Sequence, residues 1–87
     1  MKVAVWDTYV HREDGLIMHF DILVPNNIVD EKTIFEYGRT YLKAKPFKTG
    51  NLTSNECQFC HIEQATEAII INIEKAGFHI IEMEHCN

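Results

Sequence analysis

Two stretches of this 87-residue chain hold residue types that do chemistry. The first is ECQFCHIE, residues 56–63, with Cys57 and Cys60 in C-x-x-C spacing and His61 directly after. That pattern is half of a zinc site, the attachment motif for haem c, or a redox dithiol. A structural zinc takes four ligands, so the pair needs two more from His61, His79, His85 or Cys86. No second C-x-x-C is present, and His85 and Cys86 are immediate neighbours, a poor arrangement for one ion. In an extended strand Cys57 and Cys60 would also point to opposite faces. Cys57, Cys60, His61 and Cys86 are therefore the candidate ligand set for zinc or another divalent metal. The simpler alternative is that the thiols pack as small apolar groups. No haem is expected, since that chemistry goes with export and the chain opens on MKVAVWDTYV, which is no leader peptide. A thioredoxin-like pair belongs between an early strand and a helix, whereas this one follows two strands and a helix. Reduced thiols, with no Cys57–Cys60 disulfide, are the expectation.

The second stretch is a pair of segments, VAVWDTYV (3–10) and LIMHFDILV (16–24), separated by the turn signal HREDG. Both are rich in β-branched and aromatic residues, so they read as a hairpin, and its register decides which side chains meet. A two-residue Asp14-Gly15 turn would strand Asp7 among Val5, Ile22 and Val24. A three-residue Glu13-Asp14-Gly15 loop, with Gly15 left-handed, sorts the faces cleanly. Ala4, Trp6, Thr8, Val10, Met18, Phe20, Ile22 and Val24 then share one face; Val3, Val5, Asp7, Tyr9, Ile17, His19, Asp21 and Leu23 share the other. In that register Asp7 lies opposite Asp21 and Tyr9 opposite His19. Directly opposed side chains stand about 4.5–5.5 Å apart, and like charges there repel unless water, a cation or a retained proton intervenes. Asp7, Tyr9, His19 and Asp21 are thus the candidate polar site. Two aspartates and a histidine suit a divalent cation or an acid and a base. The alternative is an Asp–His ion pair on a wet surface.

Elements must hold these residues in place. Pro25 ends the second strand. Asp30 is the expected N-cap of a helix over 31–45, with Ile34, Tyr37, Gly38, Tyr41 and Leu42 on one stripe and Pro46 as its stop. Residues 46–56 read as a loop. The CQFCHI segment reads as a short strand. A second helix is expected over 65–76, burying Ile69, Ile73 and Ala76 and closed by Gly77. FHIIEME, 78–84, is the last strand. The spacing therefore predicts a single α+β domain over 1–87, β-β-α-β-α-β, with both helices on the Trp6/Phe20 face of a mixed sheet by the crossover rule. The other face would be left open, and Val3, Val5, Ile17 and Leu23 on it predict self-association into a homo-oligomer.

Composition limits the partners. The net charge is −5, with 13 acidic and 8 basic residues. The one basic run, Arg39, Lys43, Lys45 and Lys48, falls at a helix end, where cations offset the helix dipole. No nucleic-acid partner is expected, since binding one needs a basic face. No apolar run approaches a bilayer-spanning length, so no membrane partner is expected and the location is read as cytoplasmic. Nucleophile and phosphate signatures such as G-x-S-x-G, G-x-x-x-x-G-K and H-E-x-x-H are missing.

Taken together, WDTYV at 6–10, MHFDI at 18–22, ECQFCHIE at 56–63 and IIEME at 80–84 resemble a small family of uncharacterised bacterial proteins catalogued as a domain of unknown function. The resemblance spans essentially the whole chain. It implies a compact α+β domain in a bacterial protein and implies no activity. Two classes stay open: an oligomeric binding or structural module, and a metal-dependent or acid–base enzyme using Asp7, Asp21 and His19. The small-molecule ligand of either is not legible.

Overall fold

In the computed structural model, which describes residues 1–87, the first two strands form the hairpin that the sequence predicts. β1 is Lys2–His11 and β2 is Ile17–Pro25. Gly15 has φ 91°, a backbone state that a Cβ disfavours. Its N–H bonds to the Arg12 carbonyl at 3.1 Å, and the Arg12 N–H bonds to the Leu16 carbonyl at 2.8 Å. That loop sets Trp6 against Ile22, Asp7 against Asp21 and Tyr9 against His19, the three-residue-loop register.

β3 (Cys57–Gln64) adds to the free side of β1 and β4 (His79–Glu84) to the free side of β2, giving the order β3-β1-β2-β4. All three pairings are antiparallel, so the expected mixed sheet is corrected to an antiparallel one. Both edge strands carry a register shift, in β3 opposite Val5 and Trp6 and in β4 opposite His19 and Phe20.

The helices also depart from expectation. α1 (Glu31–Lys43) covers the Trp6/Phe20 face, packing Ile34 and Leu42 with Ala4, Trp6, Val10, Met18, Phe20, Ile22 and Val24. α2 (Glu67–Ala76) covers the opposite face, packing Ile69 and Ile73 with Val3, Val5, Leu23 and Ala65. The handedness rule that suggested one side governs crossovers between parallel strands. It reaches α1, because β2 and β3 run the same way. α2 instead joins β3 to the oppositely directed β4 at one end of the sheet, where Gln64 lies opposite Lys2 and His79 opposite Leu23. There the apolar stripe Val3–Val5–Leu23 decides the face.

Local chemistry fixes the helix ends. The Asp30 carboxylate accepts from the Lys32 N–H at 3.2 Å and from the Thr33 hydroxyl at 3.1 Å. Thr66, at the N-cap of α2, accepts from the Ile69 N–H, and Gly77 at φ 91° closes the helix in the left-handed state. Ala76, expected in the core, is exposed, because the helix ends beside it. At Gly38, α1 comes so close to the 46–56 loop that a Cβ would sit 2.3 Å from a Leu52 methyl. Two members of the basic run are paired within the fold: Arg39 bonds Glu36 at 2.8 Å, and Lys45 bonds Glu82 of β4 at 2.6 Å. Arg12 clasps the hairpin tip to the end of the sheet, donating to the backbone carbonyls of His85 and Asn87, both at 2.9 Å, with its guanidinium 3.8 Å from the Phe47 ring.

With α2 over this end of the second face, Val3, Val5 and Leu23 are buried within the chain and do not form the exposed apolar patch expected for self-association. Leu23 is 0% exposed and Val5 2%, and of the four residues only Ile17 stays open. No helix is long and apolar enough to cross a membrane. Leu23→Ala therefore should destabilise the fold by about 2–5 kcal/mol, the cost of a core truncation. Urea unfolding checks this; a change within about 0.5 kcal/mol, normal for a surface site, would mean that α2 does not cover this face.

Candidate functional site

α2 crosses only one end of its face, so the half nearer the hairpin loop stays open. On that half lie Asp7 and Tyr9 from β1 and His19 and Asp21 from β2, all four pointing to one side because of the register. His19 Nε2 sits 2.6 Å from Asp7 Oδ1 and 3.9 Å from Asp21 Oδ1. The imidazole stacks on the Tyr9 ring, centroids 4.1 Å apart and planes inclined by 11°, which holds its Nε2 edge toward the carboxylates. One ligand atom from each of Asp7, His19 and Asp21 falls within 4.8 Å of the others. No pocket encloses them; the site is a patch on an open sheet.

No lysine or arginine pairs with either aspartate; His19 is the basic side chain beside them, and the more distant His61 on β3 also favours both carboxylates. Burial pushes both carboxyls up, but the two then diverge. For Asp7, hydrogen bonds with His19 and Asp21 and the charge of His19 outweigh burial and hold it below its ordinary value. For Asp21, burial is reinforced by the hydrogen bond with Asp7 and by the Asp7 charge, and its carboxyl is pushed up to about 6. Asp21 Oδ1 is shut off from solvent and has no hydrogen-bond partner. The Asp7 charge also raises the Tyr9 phenol. The arrangement can hold one proton between two carboxylates or one cation among three ligands.

The four cysteine-region candidates are not brought together. Cys57 points into the α1 side of the sheet, buried, and accepts a bond from the Thr8 hydroxyl at 3.3 Å. Burial pushes its thiol up. Cys86 is buried beyond β4, and its thiol donates to the His19 carbonyl at 3.2 Å. β3 and β4 are the two edges of the sheet, about 14 Å apart at roughly 4.8 Å per strand. Cys60 and His61 are exposed on β3, and all three cysteines are free thiols. The histidine, cysteine and acidic side chains gather into one potential ligand group, Asp7–His19–Asp21. Glu63, which bonds His61 at 2.8 Å, is a polar partner that spacing alone gave no reason to single out.

Residues 1–83 match a protein family described as a domain of unknown function (DUF2024). Over the full length of both chains the sequence is 37% identical to protein NE1680 from Nitrosomonas europaea, a structural-genomics target with an NMR structure, and the folds superpose with a TM-score of 0.81. No curated protein matches.

The split carboxyl pair has a pH signature. Asp21 titrates higher in the fold than its ordinary 3.8, so its contribution is fully present below that value and is lost as pH rises through about 6. Asp7 is shifted the other way, and its contribution is lost as pH falls below the ordinary carboxylate range. Asp21→Asn, which mimics the protonated group, should raise stability at pH 7 in the presence of chelator. The gain should be on the order of 1 kcal/mol once solvent screening is allowed for, or roughly 4–8 °C in Tm. It should vanish near pH 4. Thermal unfolding across pH 4–8 checks both the sign and the window.

Proposed function

Since the chain belongs to the DUF2024 family, which carries a fold and no assigned activity, we propose from its own side chains that it is a binding module whose open sheet face holds one divalent cation. The observation that supports this most is the convergence of three ligand atoms within 4.8 Å on two adjacent strands, with two carboxylates opposed and one histidine between them. A cation replaces the repulsion between Asp7 and Asp21 with attraction to a shared charge, and gives the unpartnered Asp21 oxygen a partner. One imidazole nitrogen and two carboxylate oxygens suit zinc, manganese or iron(II) better than calcium, which takes six or more oxygens. Three protein ligands leave the remaining positions open to water or to an oxygen of a docking partner. The flat surroundings favour such docking over enclosure of a small substrate, since small-molecule sites are concave.

A second reading is favoured by the divergence of the two carboxyls. A pair with one member pushed up and the other held down is the arrangement that divides acid and base roles. In that case the site moves a proton without a metal.

Thermal unfolding of wild type, Asp7→Asn and His19→Ala separates the readings, each protein with chelator and with zinc, manganese or magnesium. For the cation site, the preferred metal raises the Tm of wild type, and the gain is lost in both variants. At free metal one hundred times Kd the wild-type stabilisation should reach about 2.7 kcal/mol. Native mass spectrometry should show one ion per chain. Identical metal responses in all three proteins would overturn the cation reading and leave the proton-sharing pair.

A further inference from the structure

The cysteine motif that fails as a zinc set has a different geometry of its own. In a regular strand Cys60 and His61 would point to opposite faces. Here β1 pairs Val5 with His61 but Trp6 with Phe59, so Cys60 is an extra residue with no partner. Such a bulge bends the strand and re-aims the side chains beside it. Its effect is to bring Cys60 Sγ within 3.2 Å of His61 Nδ1. His61 Nε2 lies 2.8 Å from Glu63 Oε1, two residues on and on the same face. In the tautomer whose Nε2–H donates to this carboxylate, Nδ1 is left as an acceptor for the thiol. A nucleophile, a base and a group that orients the base thus stand in line along four residues of one strand.

We infer that Cys60 is a nucleophilic thiol, served by His61 and Glu63, that exchanges with small-molecule disulfides. The proposal is independent of the cation site. Cys60 is the one cysteine whose surroundings permit it: Cys57 and Cys86 are buried, and Cys60 is exposed on an edge strand. The charged and titratable groups that the other strands bring to this face are Asp7, Tyr9 and His11 from β1, His19 and Asp21 from β2, and His79 and Glu84 from β4. Proton transfer from Cys60 to the adjacent His61 places an imidazolium beside the thiolate. The open surface admits a small flexible disulfide without any movement of the fold.

The step balances without a further reagent. The Cys60 thiol proton passes to His61 Nδ1, and the thiolate attacks one sulfur of the disulfide R–S–S–R. The S–S bond breaks as the Cys60–S–S–R bond forms, and the leaving R–S⁻ takes the proton back from His61 as R–SH. One thiol is oxidised to a mixed disulfide and one thiol is released; attack by a second small thiol reverses the reaction.

The test uses the full native chain with chelator present and 2,2′-dithiodipyridine and oxidised glutathione as probes, read by released thiol and by intact mass. The expected result is one mixed disulfide per folded chain, mapped to Cys60 and absent in Cys60→Ser. His61→Ala should slow the reaction roughly tenfold or more at pH 7, and Glu63→Gln should slow it by a smaller factor. His61 is exposed and Glu63 half-buried, so an unchanged Tm in each variant confirms that rate alone has moved. Modification of Cys57 or Cys86 ahead of Cys60 would overturn the proposal. So would a His61→Ala protein that reacts as fast as wild type.

Discussion

The register of the first hairpin is the constraint on which the rest of the structure depends. Side chains alternate with period two along a strand, so one residue of slip in β2 would exchange all its inward and outward residues. Gly15 prevents that slip by taking a left-handed backbone state that closes a three-residue loop. Val3, Val5 and Leu23 then fall under α2, while Ala4, Trp6, Val10, Met18, Phe20, Ile22 and Val24 share the face that α1 covers. The same alternation forces Asp7 and Asp21 to oppose each other on the other face. The polar site is therefore a by-product of the arrangement that makes the core, held in place by the same backbone bonds.

Much of this could be read from the residues. The hairpin register, the Asp30 cap, the Gly77 stop and the grouping of Asp7, Tyr9, His19 and Asp21 follow from alternation and capping chemistry, which are local. The side on which α2 packs is a different matter. It depends on the direction of β4 relative to β3, a long-range property that no local pattern encodes. Val3, Val5 and Leu23 were visible as an apolar stripe, but a stripe does not say whether a helix of the same chain or another molecule covers it. The antiparallel placement of β3 against β1, in place of a mixed sheet, was hidden for the same reason.

The cysteine region shows the limit from the other side. Spacing says that Cys57 and Cys60 are three apart, and a regular strand would separate them by face. The structure does separate them, Cys57 inward and Cys60 outward, while the bulge turns Cys60 toward His61. A bulge leaves no clear mark in eight residues without glycine or proline. Glu63, which completes that line, carries no mark in the sequence that singles it out. Both edges of the sheet carry such irregularities, and these also spoil the straight run of free backbone groups that another strand would need for pairing.

The order of the strands has a consequence for how the fold is made on a ribosome. The two central strands, β1 and β2, are the first in the sequence, while their flanking partners β3 and β4 begin at Cys57 and His79. During vectorial synthesis the hairpin emerges with two unpaired edges and two uncovered apolar faces. It waits first for α1, then for β3, and then for α2 and β4. Its tip is tied first to residues 48–50, through the Glu13 N–H to the Lys48 carbonyl and the Gly50 N–H to the His11 carbonyl, and last by Arg12 to the backbone at His85 and Asn87, more than seventy positions later. A nascent chain of this kind carries exposed strand edges for much of its elongation, the condition under which chaperone capture competes with aggregation.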